Sequence, residues 1–417
     1  MEYVIVAAIA VMLIFIVRAS FDTRLAGRVF PVLMAAFVVR LAIHVLVMRS
    51  SIIEYGGDNL YYEVRAMEIA EYWRREGIQF VSSEQIESIY SVSVPCHVFA
   101  AIIYLCGERA PLACTAIVAL IACGLCIVMY KFARLVGADE RAAFRLLVIT
   151  AFVPGFMLHT SDTFKDGFNA FLVLACLGLA ASNMQRFDMR KLFFLGPLLW
   201  TLWHVRPYMV FMCALPLLFG VARIKRALSA RTIIVFATLL IPVLIFFQSV
   251  DEIAPVMALQ EQLERGQSSH VRLANAEGGS GVMFEDGGNA WNALGPKIIY
   301  TILSPFPWMN GSLALQLGKI DTLLWYYLLY CAAYGIRRLW CYDRRMMLII
   351  LLFVVPGTIA YATTVSNIGL IFRQRMPIVM VTSLLAAIAW TKTLREGEQS
   401  VAAFADATAS SVSESRK

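Results

Sequence analysis

The stretch PLACTAIVALIACGLCIVMY, residues 111–130, contains no charged side chain, and Lys131 and Arg134 follow it closely. An α-helix needs about 20 predominantly apolar residues to cross the hydrocarbon core of a bilayer. Apolar blocks of similar length, separated by short basic connections, recur along the chain. Hydrophobic residues make up 60% of the sequence and charged residues only 16%, against about 45–50% and 25% in soluble domains. The pattern predicts an all-α, polytopic integral membrane protein.

We predict about eleven transmembrane helices from these blocks, two of which are short. They lie at 1–17, 29–48, 111–130, 144–160, 166–182, 192–204, 207–222, 232–249, 320–336, 346–363 and 376–392. The first block lacks a basic leader and a small-residue cleavage site, so we interpret it as an anchor helix and not as a signal peptide. Residues 1–395 then form one transmembrane domain, and the Ser- and Ala-rich residues 396–417 a disordered cytoplasmic tail.

The distribution of Lys and Arg indicates the orientation of the helices, because cytoplasmic loops carry an excess of positive charge. Basic residues collect in every second connection, which places the N-terminus outside and the C-terminus in the cytoplasm. This register requires that the apolar stretch 93–107 does not cross the bilayer, so we interpret it as re-entrant or surface-lying. Two connections on the outer side, about 49–110 and 250–319, are predicted to be large extracytoplasmic loops.

The net charge of +7 is therefore interpreted as topological, and we predict no nucleic-acid partner. The cysteines do not indicate a metal or redox site, because Cys123 and Cys126 lie within an apolar block and no second pair has ligand spacing.

The first outer loop opens with the polar sequence YGGDNLYYE, residues 55–63, directly after the second block. Its two glycines allow a sharp turn at the membrane surface. Asp58 is then placed where a carboxylate can act as a general base toward a hydroxyl group, or ligate a divalent metal, the one cofactor that the sequence suggests. Helix capping is the alternative role. We predict that Asp58 is catalytic and that Tyr61 and Glu63 bind substrate.

A second polar cluster, SDTFKD at residues 161–166, closes the outer end of the fourth block. Its charges could simply solvate a turn between two helices. The functional interpretation places Lys165 beside a phosphate, and Asp162 or Asp166 beside a sugar hydroxyl or a metal, on the same side of the membrane as Asp58. We predict Asp162 as catalytic and the other two as substrate-binding.

Three arginines lie on the predicted outer side, where positive charge is topologically disfavoured. Arg206, followed by Tyr208, separates two apolar blocks, and Arg373 and Arg375 precede the last one. A guanidinium group matches a phosphate through its planar fork, although it can also contact lipid headgroups. We predict that these arginines and Tyr208 bind the phosphate of a lipid-linked substrate. Arg40 and His44, one turn apart in the second block, are expected to face the bundle interior in a structural role.

These residues resemble the glycosyltransferase C superfamily, polytopic enzymes that transfer a sugar from a polyprenyl-phosphate carrier on the extracytoplasmic side. The sequence from Asp58 to Tyr61 is similar to the Asp-x-x-Tyr motif of that family, the segment from Pro154 to Asp166 to its later polar hairpin, and the segment from Asn367 to Pro377 to the end of many bacterial members. Ser304-Pro-Phe-Pro-Trp308 also looks like relatives found with surface-polysaccharide genes. Asn59 departs from the family, which often has an acidic residue there.

The resemblance implies an inverting transfer with an aspartate base, either metal-assisted or metal-free. It places this transfer in the inner (plasma) membrane of a bacterium, during synthesis of a cell-surface polysaccharide. It implies a polyprenyl-phosphate sugar as donor and a glycan or a lipid as acceptor. Two alternatives stay open at this stage. A polymerase or ligase of the O-antigen or exopolysaccharide type would use polyprenyl-diphosphate oligosaccharides, and a flippase or permease would need polar residues along a path through the bilayer.

Overall fold

The structure, a computed structural model, describes residues 1–50, 57–86, 89–186, 188–221, 267–268, 284, 287, 289–310, 313–364 and 367–392. Within these ranges the chain folds into helices and contains no β-strand. The helices are α1 (Glu2–Ser20), α2 (Thr23–Ile43), α3 (Asp58–Glu76), α4 (Ser93–Cys106), α5 (Pro111–Val136), α6 (Glu140–Phe152), α7 (Pro154–Leu158), α8 (Asp166–Gln185), α9 (Met189–Trp203), α10 (Pro207–Val221), α11 (Leu294–Leu303), α12 (Leu313–Tyr342), α13 (Arg344–Thr364), α14 (Ile368–Gln374) and α15 (Met376–Trp390). The all-α prediction is confirmed for this part of the chain.

Five helices in the described ranges are long and apolar enough to cross a membrane. They are Glu2–Ser20, Thr23–Met48, Pro111–Val136, Asp166–Gln185 and Arg344–Thr364. Five of the roughly eleven blocks predicted above therefore form helices of spanning length and composition. The chain has the character of a membrane protein, whereas the full number of spans is not confirmed.

Among the remaining blocks, 320–336 lies within the 30-residue α12, and the two short blocks at 192–204 and 207–222 form α9 and α10. Pro154 removes a backbone donor and divides the block at 144–160 into α6 and the short α7. Helices α9, α10 and α15 have 15 residues each, below the length that spans a bilayer when upright. The predicted span at 232–249, most of the predicted loop at 250–319 and the tail at 396–417 lie outside the described residues.

The bundle has two chemically different ends. At one end the Glu2 carboxylate accepts hydrogen bonds from the amides of Leu112 and Ala113, so α1 and α5 start together there. At the other end Arg28 pairs with Glu140 at 2.8 Å, which joins the start of α2 to the start of α6. We call the first the site end, because Asp58, Asp166 and Arg206 lie there, and the second the basic end. The charge alternation that we used to predict orientation thus corresponds to two distinct ends of the bundle.

The basic end is closed by hydrogen bonds to carbonyl groups at the end of α15. The guanidinium group of Arg338, near the end of α12, donates to the carbonyl oxygens of Ile388, Ala389 and Thr391 at 2.7–3.0 Å. These carbonyls end α15, where intrahelical donors run out. The two helices approach closely, since a Cβ atom on Gly335 would lie 1.9 Å from the carbonyl oxygen of Leu385. A glycine is therefore required at that crossing.

Helix α4 covers the apolar stretch that we expected not to cross the bilayer. Its 14 residues span about 21 Å. The amide of Val94 donates to the carbonyl of His204 at 3.4 Å, and Arg109, just beyond the helix, pairs with Glu63 at 2.8 Å. His204 and Glu63 both belong to the site end. Helix α4 thus begins and ends at the same end of the bundle, packed against α3.

The orientation of the two ends can be tested by labelling single cysteines. Cys341 is exposed at the basic end, and Glu108 is exposed at the site end. In intact cells we expect a membrane-impermeant maleimide to modify a Glu108→Cys variant, made in a Cys106→Ser and Cys341→Ser background. In a Cys106→Ser protein, Cys341 should react only after permeabilisation, because the arginines around the end of α12 carry the positive charge that stays inside. Labelling of Cys341 in intact cells would show that the orientation is the reverse of the predicted one.

Candidate functional site

Four charged side chains from four segments of the chain form a continuous row at the site end. The Arg373 guanidinium contacts both Asp58 and Asp166: its Nη2 pairs with Oδ2 of Asp58, and its Nε lies 3.1 Å from Oδ2 of Asp166. Arg206 donates from Nη2 to Oδ1 of Asp166 at 2.6 Å and from Nη1 to the Tyr208 hydroxyl at 2.9 Å. We call Asp58, Asp166, Arg206 and Arg373 the ion cluster. Its charges alternate in sign, so each one has an opposite neighbour.

Burial decreases along the ion cluster. The side chains of Asp166 and Arg206 are 3% and 5% exposed, that of Arg373 is 15% exposed and that of Asp58 is 40% exposed. The nearby Asp166 and Asp58 charges keep the pKa of Arg373 above its usual value although burial opposes this. The cluster is therefore anchored in the protein at Asp166 and open to the surroundings at Asp58.

The backbone explains the position of Asp58. Gly57 has φ +74°, a left-handed conformation that favours glycine, and it occupies the cap position before α3. Asp58 is the first residue of the helix, where a carboxylate is stabilised by the helix dipole. Among the described residues, no side chain caps this helix. The carboxylate of Asp58 is directed at Arg373, so the capping alternative does not describe its role. Gly56 lies outside the described residues.

Lys165 lies beside the ion cluster at the start of α8. Its Nζ donates to the carbonyl of Ser91 at 3.0 Å and lies 5.9 Å from the centre of the Tyr62 ring. Burial and then the positive charge of Arg206 lower the pKa of Lys165 to about 7, against the opposing effect of Asp166. Lys165 is thus a cation whose charge changes near neutral pH.

A second group of charged side chains contacts the first turns of α3. We call it the support cluster; its charged members are Arg49, Glu63, Arg109 and Asp162. Glu63, 3% exposed, pairs with Arg49 and, at 2.8 Å, with Arg109. Asp162 is buried completely; its Oδ1 lies 3.0 Å from Nη2 of Arg49, and its Oδ2 accepts from Nδ2 of Asn59 at 2.8 Å. Both carboxylates therefore have all their oxygens engaged by protein donors, and they fix the helix turn that follows Asp58.

Thr163 and His44, which both contact Asp162, complete the support cluster. The Thr163 amide donates to Oδ1 of Asp162 at 2.8 Å, and the Nδ1 of His44 lies 3.5 Å from the same oxygen. Burial alone would raise the pKa of Asp162, but the hydrogen bond to His44 and the Arg49 charge outweigh it and lower that pKa. The last turn of α2 widens into a π-helix at His44–Met48, which carries His44 and Arg49 to this position.

Arg40 is also buried, as the sequence predicted. Its guanidinium donates to the Thr160 hydroxyl at 2.7 Å and to the carbonyls of Ala36 and Ala151 at 3.0 and 3.2 Å. Because all three nitrogens donate to protein oxygens, Arg40 holds α2 against the ends of α6 and α7.

Arg375, which the sequence predicts to bind phosphate together with Arg206 and Arg373, lies apart from them in the structure. Arg375 is buried, and its Nη1 donates to the carbonyls of Thr301 and Ile302 at 3.0 Å each. These carbonyls belong to the C-terminal end of α11, which cations stabilise. Arg375 therefore holds α11 against α14 and α15, whereas Arg206 and Arg373 meet at Asp166.

Among the predicted tyrosines, Tyr208 joins the site directly through Arg206, whereas Tyr61 lies at its edge. Tyr61 is 37% exposed, and its ring centre lies 5.7 Å from that of Tyr62 and 5.2 Å from the guanidinium carbon of Arg65. Its ring is thus partly exposed on α3, about one helical turn after Asp58.

The donor set does not fit a divalent cation. Within the described ranges no group of three or more His, Cys, Asp or Glu side chains is arranged to hold a metal. Asp58 is already paired with Arg373, and Asp166 with Arg206, so a cation would meet positive charge on both sides. We therefore derive no step through a metal.

Sequence reasoning missed several residues of the site, namely Arg49, Asn59, Tyr62 and Arg109. A signal for two of them was present: Arg49 and Arg109 lie on the predicted outer side, against the positive-inside tendency that identified Arg206. Asn59 and Tyr62 gave no such signal, because an uncharged side chain in a helix is recognised as a partner only when the opposing element is placed.

No family model, curated protein or solved structure matches the chain. The described fold and site define the class as an all-helical chain with several helices able to span a membrane and with a partly open ion cluster at one end.

Proposed function

We propose that the protein is a membrane glycosyltransferase that moves a sugar from a polyprenyl-phosphate donor to a glycan or lipid acceptor, on the extracytoplasmic face of a bacterial inner membrane. The observation that supports this most directly is the pairing of Asp58 with Arg373 at the open end of the ion cluster. A carboxylate that can accept a proton and a guanidinium that can bind a phosphate lie there side by side. These two groups are what a transfer from a sugar phosphate requires.

Asp58 acts as the general base in this proposal. It accepts the proton of the acceptor hydroxyl while that oxygen attacks the anomeric carbon of the donor sugar. The bond from this carbon to the phosphate oxygen breaks, and the electron pair stays on the polyprenyl phosphate. Arg373 and Arg206 stabilise the negative charge that develops on this leaving group. The acceptor and the phosphate approach the carbon from opposite sides, so the configuration inverts.

The charge of the ion cluster favours a phosphodiester donor over a diphosphate. Arg206 and Arg373 contribute +2 and Asp58 and Asp166 contribute −2, so the four side chains sum to zero. Lys165 adds up to one positive charge, depending on pH. A polyprenyl-phosphate sugar carries one negative charge, which this site can neutralise, whereas a diphosphate diester carries two. Polymerase or ligase activity on diphosphates is therefore the second candidate.

The structure does not favour the flippase or permease alternative. Such a function needs polar residues along a path through the bilayer, and Arg40 and His44 are polar residues within the second apolar block. Arg40 makes three hydrogen bonds within the protein, and His44 lies 3.0 Å from the Thr115 hydroxyl. Both side chains are engaged in packing helices.

Asp162 and Glu63 take a different part in this proposal from the one predicted from the sequence. Their oxygens are engaged in the support cluster and are buried. They act as positioning residues that hold the first turn of α3, and with it Asp58, against Arg373. Asp166 likewise holds the two arginines in place and does not itself meet the sugar.

The proposal is tested by supplying both kinds of donor to the purified protein. We expect sugar transfer from synthetic polyprenyl-phosphate sugars to a hydroxyl acceptor, and no growth of polyprenyl-diphosphate oligosaccharides. An Arg373→Gln variant is the control, because it removes the phosphate partner at the open end of the site. Chain growth from diphosphate oligosaccharides alone would establish the polymerase or ligase instead.

Arginine geometry gives a further expectation for donor binding. A guanidinium group binds phosphate through two parallel donors, which an ammonium group cannot reproduce. We expect Arg206→Lys and Arg373→Lys each to weaken binding of methyl farnesyl phosphate about tenfold, since a bond to a charged group contributes about 1.5 kcal/mol or more. Isothermal titration in detergent measures this. Unchanged affinity in both variants would indicate nonspecific contact with lipid headgroups.

The pKa of Lys165 predicts how donor binding depends on pH. The groups that face it are Arg206, Asp166, Arg373 and Asp58, with the Tyr62 ring. Because its pKa is about 7, Lys165 is charged at pH 6 and largely neutral above pH 8. We expect affinity for a phosphodiester, which does not itself titrate in this range, to fall about tenfold between pH 6 and pH 9.

The matched control is Lys165→Arg, which stays charged across that range. Its affinity should be nearly constant with pH. A wild-type profile that is equally flat would mean that Lys165 does not meet the anion.

A further inference from the structure

The contact between Asp58 and Arg373 joins the two groups that the reaction needs separately. A base must be free to accept a proton, and a phosphate-binding guanidinium must be free to donate. In the structure Nη2 of Arg373 and Oδ2 of Asp58 are paired with each other. In the paired arrangement neither of these two atoms is therefore available to the reactants.

We propose that Asp58 and the phosphate of the incoming donor are alternative partners of Arg373, so that donor binding releases the base from its pairing. This inference rests on the proposed function, because it takes the ligand to be a prenyl phosphodiester. It adds an order to the reaction: the phosphate binds first, and only then is Asp58 able to accept the proton of an acceptor. Premature activation of an acceptor or of water is thereby avoided.

The difference in burial explains why Asp58 yields to the phosphate and Asp166 does not. Asp58 is 40% exposed, so its carboxylate can be solvated when it leaves Arg373. Asp166 is 3% exposed and also binds Arg206 at 2.6 Å, so releasing it would leave a buried charge unpaired. Only one of the two carboxylates that contact Arg373 is therefore replaceable.

The geometry of Arg373 is suited to such an exchange. Its Nη2 holds Asp58, while its Nε, 3.1 Å from Asp166, lacks an aligned hydrogen bond. A phosphate oxygen that replaced Asp58 at Nη2 could use the planar fork of the guanidinium, which matches phosphate better than two separate carboxylates do. Asp166 keeps the guanidinium in place during the exchange.

The test is a double-mutant cycle read by binding and not by turnover. The probe is methyl farnesyl phosphate, titrated into purified protein in dodecyl maltoside. Asp58→Asn should tighten binding about tenfold, because the fraction of Arg373 that is free rises. Arg373→Gln should weaken binding about tenfold. The double variant should bind like Arg373→Gln alone, since the gain depends on freeing that arginine.

Glu68→Gln is the matched control. Glu68 lies on α3, like Asp58, and is also 40% exposed, but it pairs with Arg65. Removing its charge should leave affinity unchanged. Two results would overturn the proposal: an affinity gain in Glu68→Gln equal to that in Asp58→Asn, or an affinity gain that persists in the double variant. Either would show that loss of a negative charge raises the affinity at long range, without freeing Arg373. Asp58→Ser serves in place of Asp58→Asn if the latter does not fold.

The outcomes separate this inference from the proposed function. If Arg373→Gln weakens binding but Asp58→Asn does not tighten it, the exchange is wrong and the phosphate site stands. If Arg373→Gln binds like the wild type, the phosphate site itself is wrong. Inorganic phosphate and phosphatidylglycerol form two further arms. If Asp58→Asn raises the affinity for phosphatidylglycerol by the same factor, the exchange is supported, but the site is not specific for a prenyl donor.

Discussion

Replacing Asp58 by Asn is expected to lower turnover by about 10²- to 10⁴-fold, the usual contribution of a positioned general base. The amide keeps the shape of the side chain but cannot accept the proton of the acceptor. Stability should change little, because Asp58 is partly exposed and does not cap α3. Initial rates with a polyprenyl-phosphate sugar, compared with the thermal unfolding midpoint in detergent, measure both quantities.

The control for this prediction is again Glu68→Gln on the same helix, which should retain wild-type turnover. An Asp58→Asn protein that turns over normally but melts early would show that Asp58 has a purely structural role. Reduced turnover together with tighter donor binding would be the signature of the exchange described above, since a merely misplaced helix would weaken both.

Replacing Asp166 by Asn is expected to have the largest effect on stability, about 3–5 kcal/mol. The substitution leaves Arg206 and Arg373 facing each other without the carboxylate that lies between them. Arg206 is 5% exposed, so solvent cannot replace the lost partner. Thermal or denaturant-induced unfolding in detergent should show a large fall in stability, accompanied by loss of donor binding.

Asp58→Asn is the comparison for this second prediction, because it removes a carboxylate from the same ion cluster at its exposed end. Its stability should fall by much less than that of Asp166→Asn. If the two variants unfold alike, burial does not distinguish the two carboxylates, and the division of the cluster into an anchored and an open end fails.

The sequence predicted the helical class well because apolar blocks and basic connections report directly on the bilayer. Helix lengths were harder, as at 144–160, where Pro154 ends one helix and starts the next. A single proline does not interrupt the apolar character of the block that contains it. Proline breaks the helix because it lacks a backbone N–H donor, and a pattern of polar and apolar residues does not register that loss.

For the candidate site, the unusual location of Arg206 and Arg373 and the acidic residues near them could be identified from the sequence. What could not be derived is which acid meets which arginine. Asp162 and Asp166 belong to the same short segment, yet the first faces Arg49 and Asn59 and the second faces Arg206 and Arg373. Arg375, close to Arg373 in the chain, donates to α11 carbonyls. Such differences depend on packing between distant segments.

The chain separation within the ion cluster has a consequence for biosynthesis. Asp166 and Arg206 are 40 residues apart, whereas Asp58 and Arg373 are 315 residues apart. During ribosomal synthesis the Asp166–Arg206 pair can form once the chain has been made as far as the start of α10. Asp58 must wait until Arg373, 315 residues later, has been synthesised. A nascent chain that ends before Arg373 would thus contain the buried Asp166–Arg206 pair without the contact to Asp58, so the exposed end of the ion cluster is assembled last.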